Sequence, residues 1–283
     1  MTPESPNLTG VPETMLWTLH NRASEMLRDD AILKDEKAYE IYRSIDYDFE
    51  GSFGKPDFSH AMRSLIFDQE LKKFLQTHPN GVIVNLGEGL ETQRFRINSP
   101  EATWFTVDLP ESIAIRERFI QPDENHIHIS CSALDTQWID AIPTDRPVYI
   151  TAQGLFMYFQ EQEVKELFIE INQRLPGACL AFDNLPRWMS KKTLKGWKKT
   201  ESYTTPPMPW GVNRDELKPL VESWIPGLQE FRPIKFTVPR GIWRYLMPIL
   251  EAIPVVKNFG GGITAIQFAA SERPDNPAKT DID

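Results

Sequence analysis

The chain has 283 residues, 41% hydrophobic and 25% charged, with a formal net charge of −9 at pH 7. A chain of this length buries a full core without metal or disulfide staples. Its acidic balance opposes general nucleic-acid binding, which leans on basic surface, but leaves room for a local basic pocket that takes an anionic ligand.

Residues 1–12 are polar, contain proline and are expected to be loose. Residues 13–50 read as helical, with Met15, Leu16, Ala23, Met26 and Leu27, then Tyr39, Ile41, Tyr42 and Ile45, until GSFGKP (51–56) breaks the chain. A second helix is predicted over 57–77, where Phe58, Met62, Leu65, Ile66, Leu71, Phe74 and Leu75 keep a helical period. HPNG at 78–81 stops it. From there the texture changes. GVIVNLG (81–87), WFTVDL (104–109), HIHISCS (126–132), PVYITAQG (147–154) and ACLAFDN (178–184) are short apolar runs typical of buried parallel strands. Helix-like stretches at 111–119, 136–141 and 161–174 alternate with them, which implies βαβ units and right-handed crossovers. The segments 228–238 and 261–270 read as strands added at the sheet edge, partly antiparallel, joined by an apolar helical stretch around 241–251. The last dozen residues are polar and expected to be disordered.

The expected architecture is α/β: a mostly parallel seven-stranded, Rossmann-like sheet in a core spanning 79–283. A helical cap is expected over 1–78 and an inserted helical lid around 186–226. Cys131 and Cys179 lie in apolar runs and read as buried reduced thiols on strands. No run of about 18 apolar residues is present, so no membrane span is expected. The N-terminus lacks the basic and apolar regions of a signal peptide, so the cytoplasm is the expected compartment.

The most informative segment is VNLGEGLET (84–92), a strand that ends in a glycine turn. Gly87 and Gly89 allow positive φ and remove the Cβ that would keep a ligand from the backbone. Asn85 is placed to order the turn through its side chain and is expected among the cofactor-binding residues. Asp108 ends the next strand, 19 residues after Gly89, where an acid accepts both hydroxyl protons of a ribose. A dinucleotide site needs a third glycine, but Thr92 stands there, and Glu88 and Glu91 would repel a pyrophosphate. S-adenosylmethionine carries no phosphate and has a sulfonium cation, which an acidic loop tolerates. The bland alternative is a structural βα turn with a solvent-facing Asp108.

NLGEGLETQ, TVDLPE, SALD and AQGLFMYF, in this order, resemble the leucine carboxyl methyltransferase superfamily, and most of all its polyketide-pathway (tetracenomycin-type) O-methyltransferase branch. The likeness covers about 60–185, and TPPMPWG (205–211) looks typical of one subgroup. The resemblance implies a class I methyltransferase-like fold with S-adenosylmethionine as methyl donor and S-adenosylhomocysteine as product. It implies that Arg63 in HAMRSLIFD pairs with the cofactor carboxylate, that Gly87 and Gly89 form the glycine turn and that Asp108 binds the ribose. Ser132, Ala133 and Leu134 fall where the family contacts adenine. Three positions depart from the pattern. Ala133 replaces the usual Asp, with Asp135 as a substitute one residue later. Gln153 stands where many members have Glu, and Gln93 where many have Arg.

The acceptor region is read from residues between the fourth strand and position 211. Gln153 and Tyr158 sit at the expected cleft mouth, where either touches the methionine end or the acceptor; Gln153 is expected among the cofactor-binding residues. Asn184, Trp188, Met189, Trp197, Tyr203, Met208 and Trp210 cluster beyond it. Tyr158, Asn184, Trp197, Tyr203, Met208 and Trp210 are the expected substrate-binding residues. KKTLKGWKK (191–199) reads either as a lid that attracts an anionic substrate or as a solvated helix with Leu194 and Trp197 inside. His60 precedes Arg63 by one helical turn and is placed near the cofactor. His126 and His128 share a strand face without a ligating carboxylate motif, so no metal is assigned.

No motif supplies a base, and no catalytic side chain is assigned. The expected reaction is methyl transfer to a carboxyl or acidic hydroxyl oxygen of a small molecule, acidic or carrier-bound, with polyketide metabolites as the class the resemblance suggests. Two other readings remain open at this point: a nicotinamide-dependent oxidoreductase, and a non-catalytic protein that keeps the cofactor fold. Neither nucleic acid nor membrane is an expected partner, and the oligomeric state is not legible.

Overall fold

The computed structural model describes residues 9–235, 240–241, 244–246, 249, 253, 256 and 258–270. The expected helical stretch around 241–251 lies mostly outside the described residues, as do positions 271–283 and 1–8.

Four helices precede the first strand: α1 (Thr14–Met26), α2 (Glu36–Ser44), α3 (Phe49–Phe53) and α4 (Ser59–Thr77). The 13–50 stretch is thus broken rather than continuous. Asp35 and Asp48 cap fresh starts, their carboxylates accepting from the Ala38 and Gly51 amides. Gly51 lies inside α3, and the break falls at Gly54, whose φ is +75°. Met15, Leu16 and Leu19 of α1 pack on Ile41, Phe49 and Phe53, so the three short helices share one apolar centre.

The strands are β1 (Val82–Leu86), β2 (Thr103–Asp108), β3 (His126–Ser130), β4 (Val148–Ala152), β5 (Cys179–Asn184), β6 (Glu230–Ile234) and β7 (Gly262–Gln267). Their order is β3-β2-β1-β4-β5-β7-β6. The first five run parallel, and β7 is antiparallel to both β5 and β6. Alternate residues feed two cores, as the two-residue period of a strand requires. Val82, Val84 and Leu86 face α7 (Glu161–Arg174) and α9 (Arg214–Trp224). Ile83 joins Trp104 and Tyr149 against Met62, Ile66, Phe67 and Leu71 of α4.

Between the strands lie α5 (Gln93–Arg96), α6 (Pro110–Arg116) and two 3₁₀ turns (Thr136–Ala141 and Phe156–Tyr158); α8 (Arg187–Leu194) follows β5. α5 is one turn long and does not begin at the glycines. The reason is local: the carbonyls of Gly89 and Glu91 accept from Arg116, and that of Leu90 accepts from Arg22. Those carbonyls are withdrawn from helical hydrogen bonding until residue 93. Cys179 lies on β5, whereas Cys131 falls one residue past β3; both thiols are free and only partly buried. Among the described residues no helix is long and apolar enough to cross a membrane.

β1 and β4 are neighbours, and the order runs outward from them in both directions. In an open α/β sheet the crevice at the carboxyl ends of such a pair is where ligands bind.

Candidate active site

A cavity of about 680 Å³ lies at that crevice. It crosses the strand ends from Ser132 and Ala133 beyond β3, past Asp108, Gly87 and Gln153, to Asp183 and Asn184 on β5. Residues of α1 and α4 wall one side, and Met189, Trp197 and Met208 wall another.

At β1 the chain turns through Gly87 (φ +61°) and Gly89 (φ +51°). A Cβ on Gly87 would lie 2.6 Å from Leu155 Cδ1, and one on Gly89 would lie 2.9 Å from Met15 Cβ. The bare main chain is therefore required by close approach of neighbouring segments as well as by φ. Asn85 ties this turn together: its amide donates to Glu88 at 2.9 Å, and its carbonyl accepts from Thr151 of β4 at 2.7 Å. Asp108 accepts from the Gly89 amide at 2.6 Å and the Leu109 amide at 2.7 Å. Burial raises its carboxyl above the ordinary aspartate value despite those bonds.

The two glutamates of the turn do not act as the expected free negative charges. Arg116 lies 3.0 Å from Glu88; Arg22 and Arg96 lie 3.0 and 2.7 Å from Glu91. Burial opposes ionisation of Glu91, but the guanidinium groups of Arg22 and Arg96 outweigh it and hold the carboxyl well below the ordinary range. Loop charge is consequently not what would keep a diphosphate out, contrary to the expectation that Glu88 and Glu91 repel one.

Arg63 reaches from α4 to Asp183, Nη1 to Oδ2 at 3.1 Å. The other oxygen of Asp183 accepts from the Gly154 amide at 2.6 Å. Gly154 has φ +68°, and a Cβ there would sit 2.5 Å from the Arg63 guanidinium. Among the described residues, two buried polar atoms beside this pair have no hydrogen-bond partner: Arg63 Nε and Gln153 Oε1. Unpaired polar atoms are costly in a folded interior, so a donor and an acceptor stand ready for a polar ligand.

The remaining expected site residues divide. Ser132, Ala133, Tyr158, Asn184, Trp197 and Met208 line the cavity. Leu134 instead packs on the core beside α7, and Asp135 caps the following 3₁₀ turn. Gln93 is fully buried and donates to Asp68 at 3.1 Å. Tyr203 is held away from the cavity between Trp17 and Phe53. Trp210 is a core residue packed on Phe156, Phe182 and Trp224. Both aromatics are almost fully buried, at 5% and 2% exposure, so neither forms a wall for an acceptor. Trp188 is turned outward and donates to the Phe259 carbonyl at 2.9 Å. Leu194 is exposed, contrary to the reading of a helix with Leu194 inside.

Sequence reasoning missed Asp183 and the α1 residues Thr14, Met15, Trp17 and Thr18, all of which line the cavity. Asp183 had a readable signal, since it lies near the end of its strand as Asp108 does. The α1 residues had none, because nothing in a helical period says which ligand-bearing crevice the helix will cover.

The family profile described as leucine carboxyl methyltransferase matches residues 16–172. The tetracenomycin polyketide synthesis O-methyltransferase TcmP of Streptomyces glaucescens is 31% identical over 270 residues, covering 93% of this chain and 94% of its own. The S-adenosyl-L-methionine-dependent methyltransferase dpfgK of Gibberella zeae is 26% identical over 182 residues, covering 58% of this chain and 61% of its own. Among solved structures, a Thermobifida fusca protein described as a candidate methyltransferase superposes with a TM-score of 0.53 at 16% identity, covering 92% of this chain and 95% of its own. The CurJ carbon methyltransferase gives 0.51 at 13% identity, with coverages of 92% and 68%. These two carry the fold, which is that of class I methyltransferases. The nicotinamide reading finds no support among these relatives. The chain belongs to the leucine carboxyl methyltransferase family and is an S-adenosylmethionine-dependent O-methyltransferase.

Proposed function

We propose that the chain methylates a carboxyl or acidic hydroxyl oxygen of a small molecule, and that the whole transfer takes place in the strand-end cavity. One observation carries this reading: a single cavity joins a glycine turn and a terminal carboxylate to an unmatched donor and acceptor, and these to a sulfur- and indole-rich wall.

The residues fit the cofactor that the family requires. Asp108 would accept from the ribose hydroxyls beside the turn at 87–89. Arg63 would donate to the carboxylate of the amino-acid end, and Gln153 Oε1 would accept from its ammonium group. Asn85 and Asp183 would hold these groups in place rather than touch the cofactor. Bound there, S-adenosylmethionine supplies a methyl carbon activated by a sulfonium leaving group.

This chain's own task is then to align the acceptor oxygen and keep water away. Trp17, Met157, Met189, Trp197 and Met208 supply an apolar wall for that purpose. A carboxylate is ionised at neutral pH and needs no base, while a phenol with a pKa of about 10 benefits from one. Burial raises the Tyr158 phenol above its ordinary value, so Tyr158 is a donor and not a base. The TcmP relative makes polyketide-type aromatic acids and phenols the first acceptors to test. We place the reaction in the cytoplasm.

The test is calorimetry with S-adenosylhomocysteine and NADH, followed by transfer of labelled methyl groups to a panel of aromatic carboxylic acids, phenols and alcohols. Tight S-adenosylhomocysteine binding with label on acids or acidic phenols is expected. NADH binding without S-adenosylhomocysteine binding would overturn the reading. Cofactor binding with no acceptor labelled would favour the non-catalytic alternative.

A further inference from the structure

His60 lines the same cavity, one helical turn before Arg63 on α4. Its ring meets Trp17 edge-on, with centroids 5.4 Å apart. On its other side, Nδ1 lies 2.9 Å from the side-chain nitrogen of Asn21. Asp57 fixes which way that amide points. The Asn21 nitrogen also donates to Asp57 Oδ1 at 3.1 Å, and the Asn21 oxygen accepts from the Asp57 amide at 3.3 Å. Turned over, the amide would set oxygen against carboxylate and N–H against N–H. Asn21 is only 1% exposed, so water does not compete for this arrangement.

The consequence is a fixed tautomer. Nδ1 accepts from Asn21, so the proton of the neutral ring is on Nε2. A second proton, on Nδ1, would face the Asn21 N–H. Burial, then the nearby charges of Arg63, Arg22 and Lys199, also lower the His60 pKa well below the ordinary value, with Glu91 opposing. Among the described residues nothing accepts a hydrogen bond from Nε2.

We propose that His60 is an acceptor-binding residue whose Nε2–H donates to the ionised oxygen of the methyl acceptor. The site thereby selects molecules that bring their own negative charge and disfavours alcohols that need a base. The inference rests on the methyltransferase reading of the cavity and adds the residue that recognises the substrate oxygen. The ring cannot deprotonate an alcohol from this position, because Nε2 already holds its proton and the free lone pair is covered by Asn21. The cofactor's own carboxylate also presents an ionised oxygen, and the experiment separates the two.

The direct test is ¹⁵N NMR of ring-labelled protein. A protonated Nε2 and unprotonated Nδ1 are expected for His60 through the neutral range; a proton on Nδ1 overturns the proposal, whatever any variant does. The kinetic test compares His60→Ala with His60→Gln, which keeps an N–H donor. His60→Ala should raise KM for a carboxylate acceptor by about 10- to 100-fold, the loss expected for a hydrogen bond to a charged group. His60→Gln should recover most of that, and S-adenosylhomocysteine affinity should be unchanged in both. With two acceptors of different acidity, the pH profile of kcat/KM should follow the acceptor's pKa.

An equal loss of S-adenosylhomocysteine affinity assigns His60 to the cofactor carboxylate and sinks the proposal. So does an unmoved KM, or a profile set by one group on the protein. Wild-type protein that binds no S-adenosylhomocysteine removes the underlying function; wild-type protein that binds it with the opposite tautomer removes only this inference.

Discussion

Arg63 and Asp183 are ion-paired across the cavity at 3.1 Å, although 120 residues separate them in the chain. Asp183 also holds the Gly154 amide, so the guanidinium is gripped from the β5 side before any ligand arrives. Its Nε has no partner among the described residues. Preset donors bind without the entropy cost of ordering a long side chain.

Arg63→Ala should therefore weaken S-adenosylhomocysteine binding by about 10- to 100-fold, as for a lost charge-assisted bond, while adenosine binding hardly changes. Calorimetry with both ligands gives the answer, and equal losses would show that Arg63 does not serve the amino-acid end.

Asp108 predicts the complementary pattern. Asp108→Ala should weaken S-adenosylhomocysteine and adenosine alike, by about 1–3 kcal/mol. The pH dependence has a definite sign. Burial raises the Asp108 pKa, so in the free protein the carboxyl takes up its proton at a higher pH than an ordinary aspartate. Adenosine affinity should fall as pH drops through that raised value, and Asp108→Asn should lack this dependence. Folding stability moves the other way in the same window, declining as pH rises, because the folded state there holds the extra proton.

The two turn glycines should differ in their response to alanine. Both have positive φ, which costs an L-residue roughly 1–2 kcal/mol. The added methyl at Gly87 meets Leu155 Cδ1, the far end of a flexible side chain. At Gly89 it meets Met15 Cβ, which moves only with α1. Urea denaturation should find Gly89→Ala the more destabilising; the reverse ranking would mean that α1 yields more easily than Leu155.

The sheet was legible because its five parallel strands are short apolar runs, and four of them have a glycine or an acid within two residues of their end; β3 runs instead into Cys131 and Ser132. That Gly87, Gly89 and Asp108 come together at the strand ends, where they line the cavity, was legible for the same reason. Tyr203 and Trp210 were misread because aromatic content marks burial without saying where. A lid wall and a second layer behind it have the same composition. Glu88 and Glu91 were misread as free charge because their partners Arg22 and Arg116 come from distant segments and show no motif. Trp17 and Asp183 depend on how α1 and β5 converge on one crevice, which is tertiary information.

The buried charges under the turn make a stability prediction. Arg22 bridges Asp35, at the start of α2, to Glu91 in the loop after β1, and its side chain is wholly buried. Arg96 meets Asp35, Asp68 and Glu91 from the other side. Arg22→Ala would leave buried carboxylates short of a partner, a loss of about 3–5 kcal/mol for a broken buried pair. Urea denaturation at neutral pH checks the size. Glu91 sets the sign in acid. Its pKa is lowered, so its contribution is complete above the ordinary glutamate value of 4.5 and is lost as pH falls from there towards the depressed value. Glu91→Gln should flatten that part of the curve; an unchanged acid limb would show that Glu91 is not a source of acid sensitivity.

Lys199 sits 4.9 Å from the Trp17 ring centre, and the residues after it are tied to α3: Thr200 donates to the Ser52 carbonyl at 2.8 Å and Ser202 to the Gly51 carbonyl at 2.7 Å. Lys192 is engaged likewise, 4.1 Å from the ring of Trp197. These lysines are thus not simply free charges drawing in an anion. Lys199 helps fasten the 197–205 segment to α1 and α3, and the Lys199 and Thr205 amides report on the order of that segment, since they bond to the Tyr203 and Trp197 carbonyls at 2.9 Å. Replacing Lys199 by Met keeps the stem and removes the charge. Hydrogen exchange at those two amides should rise by about 2- to 5-fold, the equivalent of an exposed cation–π contact. Lys192→Met should move them less, because its contact joins α8 to Trp197 and does not reach across to α1. If Lys199 served instead to attract the acceptor, exchange would not move, and the variant would differ from wild type only in an acceptor KM that converges at high salt.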